Sequence, residues 1–381
     1  MQQNMDKISL YDLAEKIDGC TSFSELLSYT AKEYPNRIFL HTGNTSWSYK
    51  SFDRLVSNCC RYLEVENLQQ GDHISLVLRN SVDFLVLYFA AIRSRIKVNP
   101  FPFHMSAIDI AGKLPIIESK KIFCHDSHYQ DLATRTKNVV NLDDLGCTFA
   151  NLLSNYEGDN IGELPIDDGE IAALYNSSGT TGESKVIQYS HKSMVATQAS
   201  MLRAGFTTPG SVHLCLLPLG HTSALRHTIK PCIATGSTVV LYESFWKVRT
   251  KIWEEIAKHQ VTFFQVVPSI LVAMLHSKYE HYSRSAVPTL RFIGCGSAFL
   301  PLDVQMSFEE RFGIPVANLY GLSETGATHF ANPFDQNRKL GSVGKPFDFV
   351  ESSIFDVNGQ EVPLGEIGEI GIRGVGLFSG Y

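Results

Sequence analysis

Tyr175-Asn176-Ser177-Ser178-Gly179-Thr180-Thr181-Gly182-Glu183-Ser184-Lys185 is the stretch on which the reading of this chain turns. Hydroxyl residues, two glycines and a lysine follow directly on Ile171–Tyr175, an apolar run that reads as a strand. Glycines let successive backbone N–H groups turn toward an anion, hydroxyls add donors and the lysine adds charge, which is the chemistry a triphosphate needs. The order is Gly-x-x-Gly-x-x-Lys, so this is not a Walker loop, which needs four residues between its glycines and a lysine right after the second. Val186-Ile187-Gln188-Tyr189 reads as a second strand, so no helix N-terminus receives the phosphate. Taken alone, the segment fits a phosphate loop or a Ser/Gly-rich surface turn between two strands equally well.

Outward from that loop, strand and helix patterns alternate. Upstream, Ser22-Phe23-Ser24-Glu25 is a capping box ahead of Leu26, Leu27 and Ala31, and Tyr34-Pro35 closes that helix. Trp47–Phe52 leads into a second helical pattern that runs to about Glu64. Ile74–Leu78 is a short buried strand, followed by an apolar helix over Phe84–Ile92. Further strands are predicted at Ile122–Cys124, His213–Leu217, Ser237–Leu241, Phe263–Val267 and Arg291–Cys295, with helical spacing over Val248–His259 and Asp303–Phe312. This rhythm implies βαβ units and mostly parallel sheet, an α/β fold. After about 335 the texture changes: Gly341, Gly344, Pro346, Asn358-Gly359, Pro363 and Gly365 cut the chain into short alternating segments. Asn-Gly is a hairpin-turn signal, so residues 336–381 are expected to form a small antiparallel, barrel-like β unit.

Composition excludes several classes of function. The 381 residues are 44% hydrophobic and carry a formal charge of -6, with no block of five or more like charges. An acidic, evenly mixed surface argues against nucleic acid as the main partner, because phosphate neutralisation needs clustered Lys and Arg. Met1–Lys16 has no apolar stretch of the kind a secretory signal needs, and Phe84–Ile92 is too short to span a bilayer. The eight cysteines show neither a C-x-x-C pair nor zinc-ligand spacing. They read as reduced core residues of a cytoplasmic protein.

Four further segments join the glycine and hydroxyl loop. They are Asn318-Leu319-Tyr320-Gly321-Leu322-Ser323-Glu324, Gly294-Cys295-Gly296-Ser297-Ala298, Gly71–Pro102, and Gly365 through Gly380-Tyr381. Together, in their order along the chain, they resemble the core motifs of the adenylate-forming superfamily, which contains acyl- and aryl-CoA synthetases, peptide-synthetase adenylation domains and beetle luciferases. The resemblance covers the chain beyond Ser22. It implies two intertwined α/β subdomains over residues 1–335 that carry the ATP and acid sites, and a small β unit over 336–381. It also implies that a carboxylate attacks the α-phosphate of ATP to give an acyl-adenylate and pyrophosphate. The thiol of CoA, or of a carrier protein's phosphopantetheine arm, then displaces AMP.

The resemblance assigns roles residue by residue. Thr180, Thr181, Gly182 and Lys185 would hold the β- and γ-phosphates, with Ser177, Ser178 and Gly179 lining the loop. Tyr320 would pack on adenine, with the backbone of Gly296, Ser297 and Ala298 on its other side and Asn318 and Gly321 alongside. Ser323 would donate to the α-phosphate, and Glu324 would help to hold Mg2+, which favours oxygen ligands shared with phosphates. Leu217-Pro218-Leu219-Gly220-His221 resembles the mouth of the acid pocket, so His221 would border the carboxylate and the thiol tunnel. Val267, Gly294, Gly321 and Leu322 would form other pocket walls. Relatives that activate amino acids place an Asp just after this strand; Gly220-His221-Thr222-Ser223 has none, which favours an acyl or aryl acid. Arg226 is read as a surface salt-bridge residue, with a second substrate carboxylate as the alternative. Cys295 is read as a buried residue at a strand end.

Three departures stand out. Ser184 replaces the proline usual before the lysine, and Ser94-Arg95 replaces a usual pair of small residues. The ribose-binding Asp, the hinge and the C-terminal lysine of the family would lie beyond Tyr381. On this reading the sequence is the large domain without the small C-terminal one, expected to bind ATP and acid but to catalyse poorly alone. The alternative is a non-catalytic nucleotide-binding protein on the same fold. An α/β-hydrolase elbow around Ser323 fails, because Gly-x-Ser-x-Gly needs glycine where Thr325 stands.

Overall fold

The computed structural model describes residues 10–156, 166–167, 169–176, 185–279, 282–326, 328–333 and 337–381. Two large sheets carry the architecture. The first has six strands in the order Val139–Asn141, Ser119–Cys124, His73–Val77, Lys97–Pro100, Ile171–Asn176 and Val186–Ser190. All pair in parallel except the last, which runs antiparallel to Ile171–Asn176. The second has nine strands: Lys345–Pro346, Phe330–Ala331, Val316–Tyr320, Phe292–Gly296, Phe263–Val266, Val212–Cys215, Thr238–Leu241, Ile38–Thr42 and Thr45–Ser48. Its six middle strands are parallel, and antiparallel pairs close both ends. Val350–Phe355 and Glu369–Gly374 form a separate antiparallel pair.

The sequence patterns explain these elements locally. Ser22 caps the helix Phe23–Glu33 by accepting from the Glu25 N–H at 3.0 Å. The reciprocal half of the capping box shifts by one residue, since the Glu25 carboxylate accepts from the Thr21 N–H at 2.7 Å. The helix Val82–Arg93 is buried all round from Phe84 onward, as a continuous apolar stretch requires, and packs on Phe23–Glu33 and Tyr49–Val65. Its last residue, Arg93, is 2% exposed, yet its guanidinium is fully engaged. It donates to Ser24 Oγ at 2.9 Å, Ser57 Oγ at 2.9 Å, Ser28 Oγ at 3.1 Å and Asp53 Oδ1 at 2.5 Å. A buried cation is tolerable only when paired and hydrogen-bonded in this way.

The structure also accounts for Ser94-Arg95. Ser94 ends the helix and Arg95 takes a left-handed φ of 56°, a conformation glycine adopts without strain. The Arg95 guanidinium pairs with Glu170, which precedes strand Ile171–Asn176. The predicted helix over Val248–His259 is broken instead into Phe245–Val248, a tight turn at Arg249–Lys251 and Ile252–His259. All eight cysteines keep their thiols, outside any disulfide, and all but Cys147 are buried. Among the described residues no helix is long and apolar enough to cross a membrane.

Candidate nucleotide and acid site

The loop that opens the sequence reading joins adjacent antiparallel strands, with Asn176 opposite Val186. Ser177, Ser178, Gly179, Thr180, Thr181 and Gly182 lie outside the described residues. Both stems are described. Asn176 donates to Asn99 Oδ1 at 3.3 Å, and Lys185 stands exposed at the start of the second strand.

Two distant segments meet these stems. Ser379 N donates to the Gln188 carbonyl at 2.8 Å and Gln188 N donates to the Gly380 carbonyl at 2.9 Å, so residues 378–381 lie along the edge of Val186–Ser190. Phe378 N donates to the Glu324 carbonyl at 2.9 Å. The Tyr381 ring lies 4.3 Å from Lys185 Nζ, and its hydroxyl donates to Glu324 Oε1 at 3.4 Å. Lys185 and Glu324, 139 residues apart in sequence, thus both contact one tyrosine.

The turn that carries Ser323 and Glu324 is tied down tightly. Thr325 Oγ1 donates to the Leu322 carbonyl at 3.0 Å and accepts from the Leu322 N–H at 2.9 Å. The Tyr189 hydroxyl donates to the Ser323 carbonyl. Gly326 ends the turn with φ 80°; a Cβ there would run into the Gly376 carbonyl and lie 2.8 Å from Arg226 Nη1. Tyr320 ends strand Val316–Tyr320 half-buried, its ring 5.9 Å from that of Phe330. In the neighbouring strand Gly296 pairs with Leu319, and a Cβ on Gly296 would sit 2.5 Å from the Leu319 carbonyl. The missing side chain therefore lets the two strands close, which carries Ser297, at φ 66°, and exposed Ala298 to the strand ends beside Tyr320.

The other sequence-predicted residues sit as follows. Asn318 is buried and donates its amide to the Ser342 carbonyl at 3.2 Å. Gly294 is core-facing: a Cβ there would meet Leu319 Cδ1 at 2.8 Å and Phe263 Cζ at 3.1 Å. Gly321 and Val267 are half-buried, whereas Leu322 is 52% exposed. Burial pushes the Cys295 thiol up to about 12, which keeps it an inert core group.

His221 caps a short helical turn, Thr222–Ala224, and stays open to solvent. Its loop is fixed by Asn80, which accepts from Leu219 N at 2.7 Å and donates to the Leu217 carbonyl at 2.9 Å. The protein around its ring, and then His104 at 5.8 Å between ring centroids, hold the imidazole below its usual pKa. Beyond it the chain widens into a π-helical turn, Leu225–Ile229, before the helix Lys230–Thr235. Such turns recur at functional sites.

This turn overturns the reading of Arg226. It is not a surface ion pair: the residue is 1% exposed and its guanidinium carbon lies 4.1 Å above the Tyr189 ring. None of its nitrogens has a hydrogen-bond partner among the described residues. Around it are residues the sequence reading passed over. His227 Nδ1 bonds to the Ser223 carbonyl at 2.9 Å, and its Nε2 to Thr328 Oγ1 at 2.7 Å. His329 and Lys230 are buried, and neither His329 ring nitrogen nor Lys230 Nζ has a partner among the described residues. Burial is the largest cause pushing both His227 and His329 down to about 4. The overlooked signal was spacing: positions 226, 227 and 230 follow His221 within one helical stretch, and 328–329 follow the Ser323 turn.

Comparison with known proteins agrees with this architecture. The sequence profile of the family described as AMP-binding enzyme matches residues 27–381. Sulfoacetate–CoA ligase of Cupriavidus necator is 32% identical over 211 residues, 55% of this chain and 40% of that protein. Oxalate–CoA ligase of Arabidopsis thaliana is 26% identical over 374 residues, 94% of this chain and 72% of that protein. The chain therefore spans from two-fifths to under three-quarters of these relatives. Among solved structures, ATP-bound MatB from Rhodopseudomonas palustris superposes with a TM-score of 0.84 at 24% identity, over 94% of this chain and 71% of that one. The N-terminal domain of FACL13 from Mycobacterium tuberculosis gives a TM-score of 0.84 at 21% identity, over 94% and 90% of the two chains. These two establish the shared fold.

Proposed function

Because the chain belongs to the AMP-binding enzyme family, we propose that it carries the ATP and acid sites of a carboxylate–thiol ligase. The observation that carries this reading is the meeting of Lys185, Glu324 and the Tyr320–Gly326 turn where three separate segments of chain converge. In the reading, a carboxylate oxygen of the substrate forms a bond to the α-phosphorus of ATP, and the bond to the bridging oxygen breaks with loss of pyrophosphate. A thiol then attacks the acyl carbon and AMP leaves. CoA is the thiol acceptor that the ligase relatives favour, and a carrier protein's phosphopantetheine arm is the alternative.

The protein's part in the first step is position and charge. Tyr320 packs against adenine, with Ser297 and Ala298 on the opposite side. Lys185 joins the 177–184 loop on the β- and γ-phosphates and offsets the charge that builds on the leaving pyrophosphate. Ser323 donates to the α-phosphate, and His221 borders the incoming carboxylate. Glu324 offers the single hard carboxylate that Mg2+ takes beside phosphate oxygens, so the residues present fit that ion. When bound, Mg2+ would neutralise phosphate charge. In the reading, residues up to 335 carry the nucleotide and acid contacts, and the terminal β unit holds its end on Val186–Ser190. Reduced, mostly buried cysteines suit the cytoplasm.

The test is calorimetric titration of this chain with Mg-ATP and with non-hydrolysable acyl-adenylate mimics. Binding is expected, and Lys185→Ala and Tyr320→Ala should each weaken it by about tenfold or more, the scale of one charge-assisted bond or one lost aromatic contact. A folded chain that binds neither ATP nor any mimic refutes the reading.

A further inference from the structure

Arg226 contrasts with the other deeply buried arginine of this protein. Arg93 has an oxygen for each of its donors, an aspartate among them. Arg226 is at least as buried and has no acceptor for any nitrogen among the described residues. A guanidinium cannot shed its proton, so burial leaves it charged. The Tyr189 ring covers one of its faces. Its surroundings make the imbalance worse. Lys230 Nζ, one turn further along, has the Phe23 and Tyr88 ring faces beside it, and neither it nor the ring nitrogens of His329 has a hydrogen-bond partner among the described residues. No carboxylate of the described residues pairs with Arg226.

Its position ties it to the site. Arg226 Nη1 lies against Gly326, the residue that ends the Ser323 turn, and the neighbouring His227 is bonded to Thr328 just beyond that turn. His221, the cap of the turn Thr222–Ala224, precedes Arg226 by five residues, and Arg226 lies in the π-helical turn that follows.

We propose that Arg226 receives a second anionic group, a carboxylate or a sulfonate, of an acid whose other carboxylate is activated beside His221. The proposal rests on the ligase reading above. The planar guanidinium suits both groups, since each presents two oxygens to its parallel N–H pair.

The experiment uses this chain and adenylate mimics in matched pairs: malonyl against its uncharged isostere acetoacetyl, and sulfoacetyl against methylsulfonylacetyl. The unaltered protein should bind at least one charged member about tenfold or more tighter than its uncharged partner, the size of a charge-assisted hydrogen bond. Which pair shows the preference separates carboxylate from sulfonate. Arg226→Gln should abolish the preference while leaving the uncharged mimics within about twofold. Mg-ATP is titrated in the same samples. Equal binding of both members with ATP still bound overturns this inference alone, and the wild-type ratio decides it even if the variant does not fold. An equal loss for both members in a folded Arg226→Gln protein also overturns it. Failure to bind ATP and every mimic removes the ligase reading along with it.

Discussion

Replacing Gly326 with alanine tests whether close approach, and not turn conformation alone, fixes the Ser323 turn. Two costs are separable. A non-glycine residue at φ 80° carries a left-handed penalty of about 1–2 kcal/mol. In addition, the new Cβ would overlap the Gly376 carbonyl, a backbone atom with little freedom to move, and crowd Arg226 Nη1 at 2.8 Å. Overpacking of this kind costs about 1–3 kcal/mol more. The internal control is Gly359, which has φ 76° but nothing within 4 Å of where an alanine methyl would sit, so Gly359→Ala carries the conformational cost alone. Urea denaturation followed by circular dichroism should therefore show a loss of about 1–2 kcal/mol for Gly359→Ala and about 2–5 kcal/mol for Gly326→Ala. With a slope of about 3 kcal/mol/M the second loss shifts the midpoint by about 0.7–1.7 M. ATP affinity should fall for Gly326→Ala and hold for Gly359→Ala, because only the first displaces the turn. Equal destabilisation by the two variants would refute the close-approach argument.

Three other outcomes follow from the structure. Asp53→Asn leaves the Arg93 guanidinium charged in the core and should cost about 3–5 kcal/mol in urea unfolding, whereas Asp53→Asn with Arg93→Met should recover part of that loss. His191, His227 and His329 have folded pKa values of about 4, below the ordinary histidine value of 6.5, mainly through burial. The unfolded chain takes up their protons first, so stability is full above about pH 6.5 and falls as pH drops toward 4, by up to about 1.4 kcal/mol per pH unit for each ring. His329→Asn should flatten that slope measurably. Iodoacetamide should modify Cys147 in the folded protein and reach the buried cysteines only in urea, as counted by mass spectrometry.

Much of this was legible in the sequence because each element has one dominant local cause. The parallel strands at 213–217, 237–241, 263–267 and 291–295 announced themselves as apolar runs, and the structure shifts their ends by only one or two residues. The strands Ile38–Thr42, Thr45–Ser48 and Lys97–Pro100 were not predicted, since each is short and takes its identity from the partner it pairs with. At the site, motif order singled out Lys185, Tyr320, Ser323 and Glu324 as candidates. It did not reveal that Asn318 would spend its amide on Ser342, or that Gly294 would serve packing. Arg226 was misread because charge in a sequence suggests surface. Its burial depends on a π-helical turn and on Tyr189, 37 residues upstream, and neither can be seen from the arginine itself.

The segment at 378–381 has one more effect. Val186–Ser190 is the outermost strand of the six-stranded sheet, where free N–H and C=O groups form a template for pairing with another chain. Gln188 directs both of its backbone groups to Ser379 and Gly380, which closes that template at its midpoint. The same residues that reach Glu324 and Lys185 thus also guard against edge-to-edge aggregation, so colloidal behaviour and ligand binding depend on one short stretch of chain.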